Sequence, residues 1–302
     1  MHMDYITAHI GEFAALAVAV FWTITALAFE TASRKAGSLT VNIFRLVLAF
    51  VFIGIFTSVT RGHFLPSDAS RHNWIWLSLS GLVGLVLGDY FLFRSYTLIG
   101  SRFAMLIMTL APPMAAVFGY FMLGERLALI QAAGMLIVLF GIGMAIFNRP
   151  AKGERLTFKL STTGILFAFI GALGQALGIV LSKYGMAGYD PFASTHIRII
   201  AGIAGFSFII TVLGRWRQTI SATRDMAAMK ALTLGAFFGP FLGISFSLLS
   251  VRHTETGIAS TIMALVPIFI IAPAVLIYKE KLTVAEFAGA LISVAGTALF
   301  FI

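Results

Sequence analysis

The chain has 302 residues, of which 59% are hydrophobic and 11% are charged, and its mean hydropathy is +0.97. A soluble domain carries about 25% charged residues. So few charges could not cover the surface of a soluble protein, so this composition excludes a soluble globular domain. The net charge of +9 is spread over short segments between apolar runs, which favours anionic lipid headgroups over nucleic acid as the partner. The absence of cysteine excludes disulfides, thiolate metal sites and cysteine nucleophiles.

Ten apolar runs of membrane-spanning length follow one another along the chain. A helix needs about 20 mostly apolar residues to cross ~30 Å of hydrocarbon. The runs lie near 11–30, 39–60, 73–95, 101–122, 128–147, 162–183, 191–213, 229–250, 257–278 and 282–302. They predict an all-α integral membrane protein with ten transmembrane helices. The first run is preceded by Asp4 and Glu12 and by no Lys or Arg, so we interpret it as a retained helix rather than a signal peptide.

A polar linker at 148–161 divides the chain into two five-helix repeats, at 1–147 and 162–302. Pro112 lies 13 residues before Glu125, and Pro267 lies 13 residues before Glu280, so the two motifs are 155 positions apart. Because each repeat has an odd number of helices, the second copy must be inverted relative to the first. Inverted repeats of this kind are typical of secondary transporters that work by alternating access.

The charges of the short loops predict the orientation. Fourteen Lys and Arg residues fall in the loops predicted on one side, and five fall in those on the other. The richer side is expected to be cytoplasmic, which leaves both termini outside. The sequence therefore predicts a multi-pass protein of the cell (inner) membrane with extracytoplasmic termini.

Charged side chains inside apolar helices are the first candidates for a functional role, because each costs about 2.5–3.5 kcal/mol at the membrane centre. Arg45 lies early in the second predicted helix, and Asp89 lies near the cytoplasmic end of the third. We expect Arg45 to pair with Asp89 or with Glu30 and so to close a cytoplasmic gate. A static pair or a snorkelling arginine is the alternative.

Arg198 occupies the corresponding position in the second repeat, near the external side. The sequence offers no obvious carboxylate at its depth, and Glu255 in an external loop is the nearest candidate. His196, two residues earlier, is a candidate proton-sensitive group, although a histidine at the start of a helix is more often simply solvated.

Two further sets of residues are candidates for hinge and binding roles. Pro112 and Pro267 remove backbone donors at matching positions of the two repeats, which favours hinges. Aromatic, methionine and neutral polar side chains favour a cavity for a small, partly apolar solute, although packing against lipid or protein is the common alternative. The candidate substrate-binding residues are Trp22, Asn42, Tyr90, Phe93, Tyr96, Met108, Gln175, Ser245 and Met263.

Several motifs resemble the EamA domain of the drug/metabolite transporter superfamily. They are the stretch at 88–104, Leu110-Ala111-Pro112 with Leu123-Gly124-Glu125, and the second-copy Leu265-Val266-Pro267 with Tyr278-Lys279-Glu280. The second copy departs from the pattern by placing Tyr-Lys-Glu where the first has Leu-Gly-Glu. The early arginines Arg45 and Arg198 also look like that family. The resemblance implies a ten-helix exporter or permease for metabolites, and the aromatic amino-acid exporters are the members to compare first.

The leading hypothesis is a secondary transporter that exports amino acids, including aromatic ones, or similar small metabolites. Multidrug relatives with four helices carry a membrane glutamate in the first helix, whereas this chain has apolar and hydroxyl residues at 20–25, which disfavours cationic drugs. An exchanger of phosphorylated or nucleotide-linked solutes and a drug exporter are the alternatives. A membrane enzyme would need a polar catalytic set, and none is evident. We expect no cofactor, no metal and a functional monomer.

Overall fold

The computed structural model describes residues 7–147, 161–276 and 283–301, and every regular element within these ranges is helical. The helices are α1 (Ile10–Ala36), α2 (Ser38–Arg61), α3 (Arg71–Ser80), α4 (Asp89–Met108), α5 (Ala111–Leu123), α6 (Leu129–Phe147), α7 (Thr162–Met186), α8 (Pro191–Val212), α9 (Trp216–Ser221), α10 (Met226–Ala236), α11 (Ile244–His253), α12 (Thr256–Met263), α13 (Val266–Leu276) and α14 (Val284–Ala298). Short 3-10 turns occupy Ala222–Arg224 and Leu299–Phe301.

Eight helical stretches in the described ranges are long and apolar enough to cross a membrane. They are Ile10–Phe29, Leu39–Arg61, Arg71–Leu92, Thr162–Met186, Pro191–Val212, Met226–His253, Thr256–Pro273 and Val284–Phe301. The fourth and fifth runs predicted from the sequence correspond to shorter apolar helices, Ala111–Leu123 and Leu129–Ala145. The chain is therefore a multi-pass membrane protein with eight full-length candidate spans.

The boundary between the third and fourth predicted helices is wrong. The sequence predicts a break near 96–100, but α4 runs without interruption from Asp89 to Met108. A single glycine in this stretch costs only about 1 kcal/mol of helix stability, which is too little to end a helix that is supported by packing. The chain breaks instead at 109–110, because Pro112 and Pro113 favour the first turn of a new helix.

The second half of the chain contains the same interruption. α12 ends at Met263, and α13 begins at Val266 with Pro267 as its second residue. Residues 264–265 therefore separate two helices just as residues 109–110 do, 155 positions earlier. Both predicted hinge prolines lie directly after a break in a helix.

Two helices contain π-helical segments, in which the chain has one extra residue per turn. Gly81–Gly88 joins α3 to α4, and Phe237–Gly243, with Pro240 inside it, joins α10 to α11. The first segment packs directly on α7: a Cβ atom on Gly174 would lie 2.8 Å from the Cα of Gly88. This close approach of two backbones, which glycine alone permits, brings the start of α4 against the middle of α7.

Two apolar cores hold the halves of the chain together. One lies between α1, α6, α11 and α12 and includes Ala15, Val138 and Ile258. The other joins α2, the π-helical segments, α8 and α11 and includes Leu46 and Phe206. Since each core contains side chains from both halves, neither half is a separate folded unit in this arrangement.

Candidate functional site

Arg45 and Asp89 form an ion pair between α2 and the start of α4. The Arg45 Nη2 donates to Asp89 Oδ2, and each side chain is only 11% exposed. The pairing satisfies both charges where water is scarce, as charged groups in a membrane require. The ring of Phe29 lies 5.8 Å from the guanidinium carbon of Arg45. The alternative partner, Glu30, has a side chain outside the described residues.

Gln175 of α7 holds the second oxygen of the Asp89 carboxylate. Its Nε2 donates to Asp89 Oδ1 at 2.8 Å and to the backbone oxygen of Gly84 at 3.3 Å. A Cβ atom on Gly88 would lie 3.3 Å from the same nitrogen, so glycine there leaves room for the amide. Gln175 ties the Arg45–Asp89 pair to the second half of the chain.

The pair lies near the ends of two candidate membrane spans. Asp89 comes three residues before the end of the span Arg71–Leu92, and Arg45 comes six residues after the start of the span Leu39–Arg61. Gln175 lies 13 residues after Thr162, about 20 Å along α7 and near its middle.

Arg198 of α8 is 5% exposed and lies on the far side of the same π-helical segment. Its Nε has no hydrogen-bond partner among the described residues. A Cβ atom on Gly84 would lie 3.4 Å from its Nη2. Asp89 lies close enough for its charge to act on Arg198 without a direct contact. The Asp89 carboxylate therefore contacts Arg45 directly and acts on Arg198 electrostatically at longer range.

Glu255 lies in the short loop between α11 and α12. It precedes the first residue of α12, and its Oε2 accepts a 3.4 Å hydrogen bond from the Thr254 hydroxyl. The sequence offers no obvious carboxylate for Arg198, because Asp89 comes from the other half of the chain. The π-helical segment before Asp89, which turns the helix out of the regular phase, leaves no distinct signal in the amino-acid pattern.

His196 lies in an aromatic environment rather than at a solvated helix start. The residue is fully buried, and its ring centroid lies 4.7 Å from that of Phe50 and 6.0 Å from that of Phe64. Neither ring nitrogen has a partner in the part of the chain that the structure describes. Phe64 comes from the loop after α2, which folds back so that this ring covers Gly54.

Asn42 and Ser245 are buried polar residues with unsatisfied atoms. Asn42 is 3% exposed and Ser245 is fully buried. Neither the Oδ1 of Asn42 nor the Oγ of Ser245 has a partner in the described ranges. Asn42 lies three residues before Arg45 on α2, which places the two on the same face of the helix. Buried polar groups without partners are rare in folded proteins, so both remain candidates for solute contacts.

The aromatic and methionine candidates do not converge on one site. Trp22 and Met263 belong to the core between α1 and α12, whereas Met108 packs in a separate cluster with α7. Tyr90, beside Asp89, is half-buried with its ring 5.5 Å from that of Phe91. The side chains of the last two candidates, Phe93 and Tyr96, lie outside the described residues.

A second polar cluster, missed by sequence reasoning, joins the ends of α1, α7 and α12. The Oε2 of Glu125, in the loop between α5 and α6, accepts hydrogen bonds from the backbone and hydroxyl of Thr256, at the start of α12. Lys183 lies 2.6 Å from Glu125 Oε1 and donates to the Thr254 carbonyl. The Thr254 hydroxyl donates to the buried Glu12. The only signal of this cluster in the sequence is that its loops are all predicted to lie on the same side of the membrane.

A third cluster lies at the ends of α2 and α8. Arg61 contacts Asp68 at 2.5 Å and donates to the Tyr189 hydroxyl at 3.1 Å, and that hydroxyl donates to Asp68 Oδ1 at 2.7 Å. The hydrogen bond from Tyr189 lowers the pKa of Asp68 below its ordinary value of 3.8. Burial, with the Asp68 carboxylate adding to it, raises the pKa of Tyr189 to about 12. The cluster fixes two loops to one another.

Comparison with known proteins decides the family. The EamA-like transporter family matches this chain twice, at residues 9–147 and 162–302. The chain belongs to the EamA-like transporter family. The resemblance drawn from the sequence motifs is therefore confirmed.

Individual relatives of this EamA-family chain are distant. An uncharacterized transporter of Clostridium kluyveri is 25% identical over 60% of this chain and 57% of its own length. A WAT1-related chloroplastic protein of Arabidopsis thaliana is 24% identical over 60% of this chain and 43% of its own length. The chain thus spans about half the length of the curated relatives it matches. A solved crystal structure covering 97% of this chain and 96% of its own superposes with a TM-score of 0.72 at 18% identity, which establishes the fold.

Proposed function

We propose that this EamA-family transporter exports amino acids, including aromatic ones, by alternating access between the two sides of the cell membrane. The observation that carries the proposal is the buried cluster of Arg45, Asp89, Gln175 and Arg198, to which both halves of the chain contribute. A zwitterion brings one carboxylate and one ammonium group, and a membrane-buried cluster with both signs of charge complements both ends.

Alternating access in this proposal depends on two inverted five-helix repeats, at 1–147 and 162–302. Two structural correspondences support the repeat. The helix breaks at 109–110 and 264–265 are 155 positions apart, and the π-helical segments Gly81–Gly88 and Phe237–Gly243 fall in the third helix of each unit. Pro112 and Pro267 would then act as paired hinges when one repeat rocks against the other.

The Arg45–Asp89 pair is proposed to control this motion. It joins α2 to α4 within the first repeat, and Gln175 extends the contact to α7 in the second. A solute that competes for either charge loosens the connection between the repeats, so that solute binding and gate opening are coupled. The functional unit in this proposal is a monomer whose termini both lie outside the cytoplasm.

An exchanger of phosphorylated solutes is the second candidate function. It is favoured by the presence of two arginines against one aspartate in the cluster. The same excess of positive charge disfavours a drug exporter for cations. The charge of the transported solute therefore separates these alternatives.

Uptake by proteoliposomes tests the proposal. Vesicles containing the purified chain are supplied with labelled phenylalanine, threonine or a nucleotide sugar, with and without a pH gradient. We expect saturable phenylalanine uptake that is lost in Arg45→Ala and retained in Arg252→Ala, which removes an exposed arginine. Uptake of the nucleotide sugar alone would overturn the amino-acid assignment and favour the second candidate.

A further inference from the structure

We infer that Arg198 is the binding site for the carboxylate of the transported solute, an assignment that rests on the proposed function and names its anion subsite. Arg198 is 5% exposed and its Nε lacks a hydrogen-bond partner among the described residues. No direct ion pair of Arg198 is found there either, since Asp89 acts on it only at longer range. A buried guanidinium without a hydrogen-bond partner or an ion pair needs an acceptor, and an anion that is not part of the chain supplies one.

Arg45 is a poorer candidate for the same role. Its Nη2 is held by Asp89, so an incoming anion would have to displace an internal carboxylate. The Nε of both arginines lacks a partner among the described residues, but only Arg198 is also without a direct ion pair there. The edge formed by its Nε and the neighbouring nitrogen can donate two parallel hydrogen bonds, which match the two oxygens of a carboxylate. A Cβ atom on Gly84 would lie at an ordinary contact distance, 3.4 Å, from Nη2 of Arg198, so the π-helical segment runs beside the guanidinium.

The net charge of the cluster selects a monoanion. Arg45 and Arg198 contribute two positive charges and Asp89 one negative charge, so the described cluster carries one uncompensated positive charge. A monocarboxylate anion neutralises it, whereas a zwitterionic amino acid leaves the net charge of the cluster unchanged. A doubly charged phosphate monoester would leave an excess negative charge in the same buried site, which is costly away from water. The charge balance therefore favours monocarboxylate anions over doubly charged phosphorylated solutes.

Calorimetric binding to the purified protein in detergent tests this assignment independently of transport. The probes are phenylalanine, phenylalaninamide, which lacks the carboxylate, and inorganic phosphate. We expect Arg198→Gln to weaken phenylalanine binding by about tenfold or more, the usual effect of losing a hydrogen-bonded charge, with little effect on phenylalaninamide. Arg252→Gln, at an exposed site, is the matched control and leaves all affinities unchanged.

Asp89→Asn provides a second test, which does not require the Arg198→Gln variant to fold. Its expected effect on the two probes is the opposite of that of Arg198→Gln. Removing the internal carboxylate raises the charge of the described cluster to two and removes the acceptor proposed for the ammonium group, so phenylalaninamide binding should weaken more than phenylalanine binding. Phenylalanine binding that ignores both substitutions would overturn the Arg198 assignment and leave the proposed function standing. Binding of phosphate in place of phenylalanine, with the same dependence on Arg198, would overturn the carboxylate assignment and the amino-acid proposal together.

Discussion

Glu125 and Thr256 are joined across the two halves of the chain. One carboxylate oxygen accepts hydrogen bonds from the Thr256 nitrogen at 2.9 Å and from its hydroxyl at 2.6 Å. Thr256 is the first residue of α12, where backbone N–H groups lack acceptors within the helix. A loop of one half therefore caps a helix of the other, and Lys183 neutralises the capping carboxylate.

Replacing Glu125 by alanine should destabilise the protein by about 2 kcal/mol, because the cap is lost and Lys183 loses its partner. Glu125→Gln should cost less, since an amide oxygen still accepts from Thr256. Thermal unfolding in detergent measures the difference. Arg126→Ala removes the neighbouring exposed charge and serves as the control. Equal unfolding temperatures for Glu125→Ala and Arg126→Ala would contradict the capping role.

The charge cluster predicts an order of stabilities for two single substitutions. Arg45→Gln leaves Asp89 opposite Arg198 and the cluster neutral, whereas Asp89→Asn leaves two buried arginines without a carboxylate. Asp89→Asn should therefore be the more destabilising, by about 3 kcal/mol relative to the unchanged protein. Thermal unfolding without solute reports the order. A reversed order would mean that Asp89 does not neutralise both arginines.

The contact between α7 and the first π-helical segment predicts a strong steric effect. A Cβ atom on Gly178 would lie 2.8 Å from the Cα of Gly84, so Gly178→Ala must separate two backbones. We expect a loss of about 1–3 kcal/mol, together with weaker transport because Gln175 moves away from Asp89. Leu166→Ala, on the same helix at a side chain that is 53% exposed, should have a much smaller effect. A tolerated Gly178→Ala would contradict the close packing.

The loop cluster around Tyr189 predicts a pH dependence. The pKa of Asp68 is lowered from 3.8, chiefly by the hydrogen bond from Tyr189, so its contribution to stability is present above that value. The contribution is lost as the pH falls through the lower pKa of the folded state. Tyr189→Phe removes the bond and should reduce the dependence of the unfolding temperature on pH below about 4. If Tyr189→Phe has the same dependence of unfolding temperature on pH as the unchanged protein, the hydrogen bond to Asp68 does not contribute to stability.

The same cluster also predicts a loss of stability at high pH. Because the folded state raises the pKa of Tyr189 to about 12 from 10.0, the protonated phenol stabilises the fold below pH 10.0. This stabilisation is lost as the pH rises from 10.0 towards 12. Absorbance titration of the phenolate, comparing the native chain with Tyr189→Phe, identifies the late-titrating tyrosine. A missing late component would contradict the burial of Tyr189.

Much of the fold follows from apolar run length, since the runs correspond to helices throughout the described ranges. The Arg45–Asp89 contact was also accessible, because two opposite charges in apolar helices must find partners. The length of α4 was not accessible, because Gly100 suggests a break that the structure does not show and the helix ends only just before Pro112. The partner of Arg198 and the cap formed by Glu125 depend on contacts between distant segments, which local patterns do not encode.

The central claim is that the cluster around Arg45 is exposed to each side of the membrane in turn. The chain has no cysteine, so Asn42→Cys, one turn from Arg45, introduces a single reactive thiol. Val59→Cys, at an 83% exposed position of the same helix, is the control whose labelling should not respond to solute. Provided that Asn42→Cys still transports phenylalanine, its reaction with a membrane-impermeant thiol reagent is measured from each face of oriented vesicles. Alternating access predicts labelling from both faces, with phenylalanine on one side shifting the ratio between them. A thiol that transports but is labelled from neither face, or from both with no response to phenylalanine, would contradict the account.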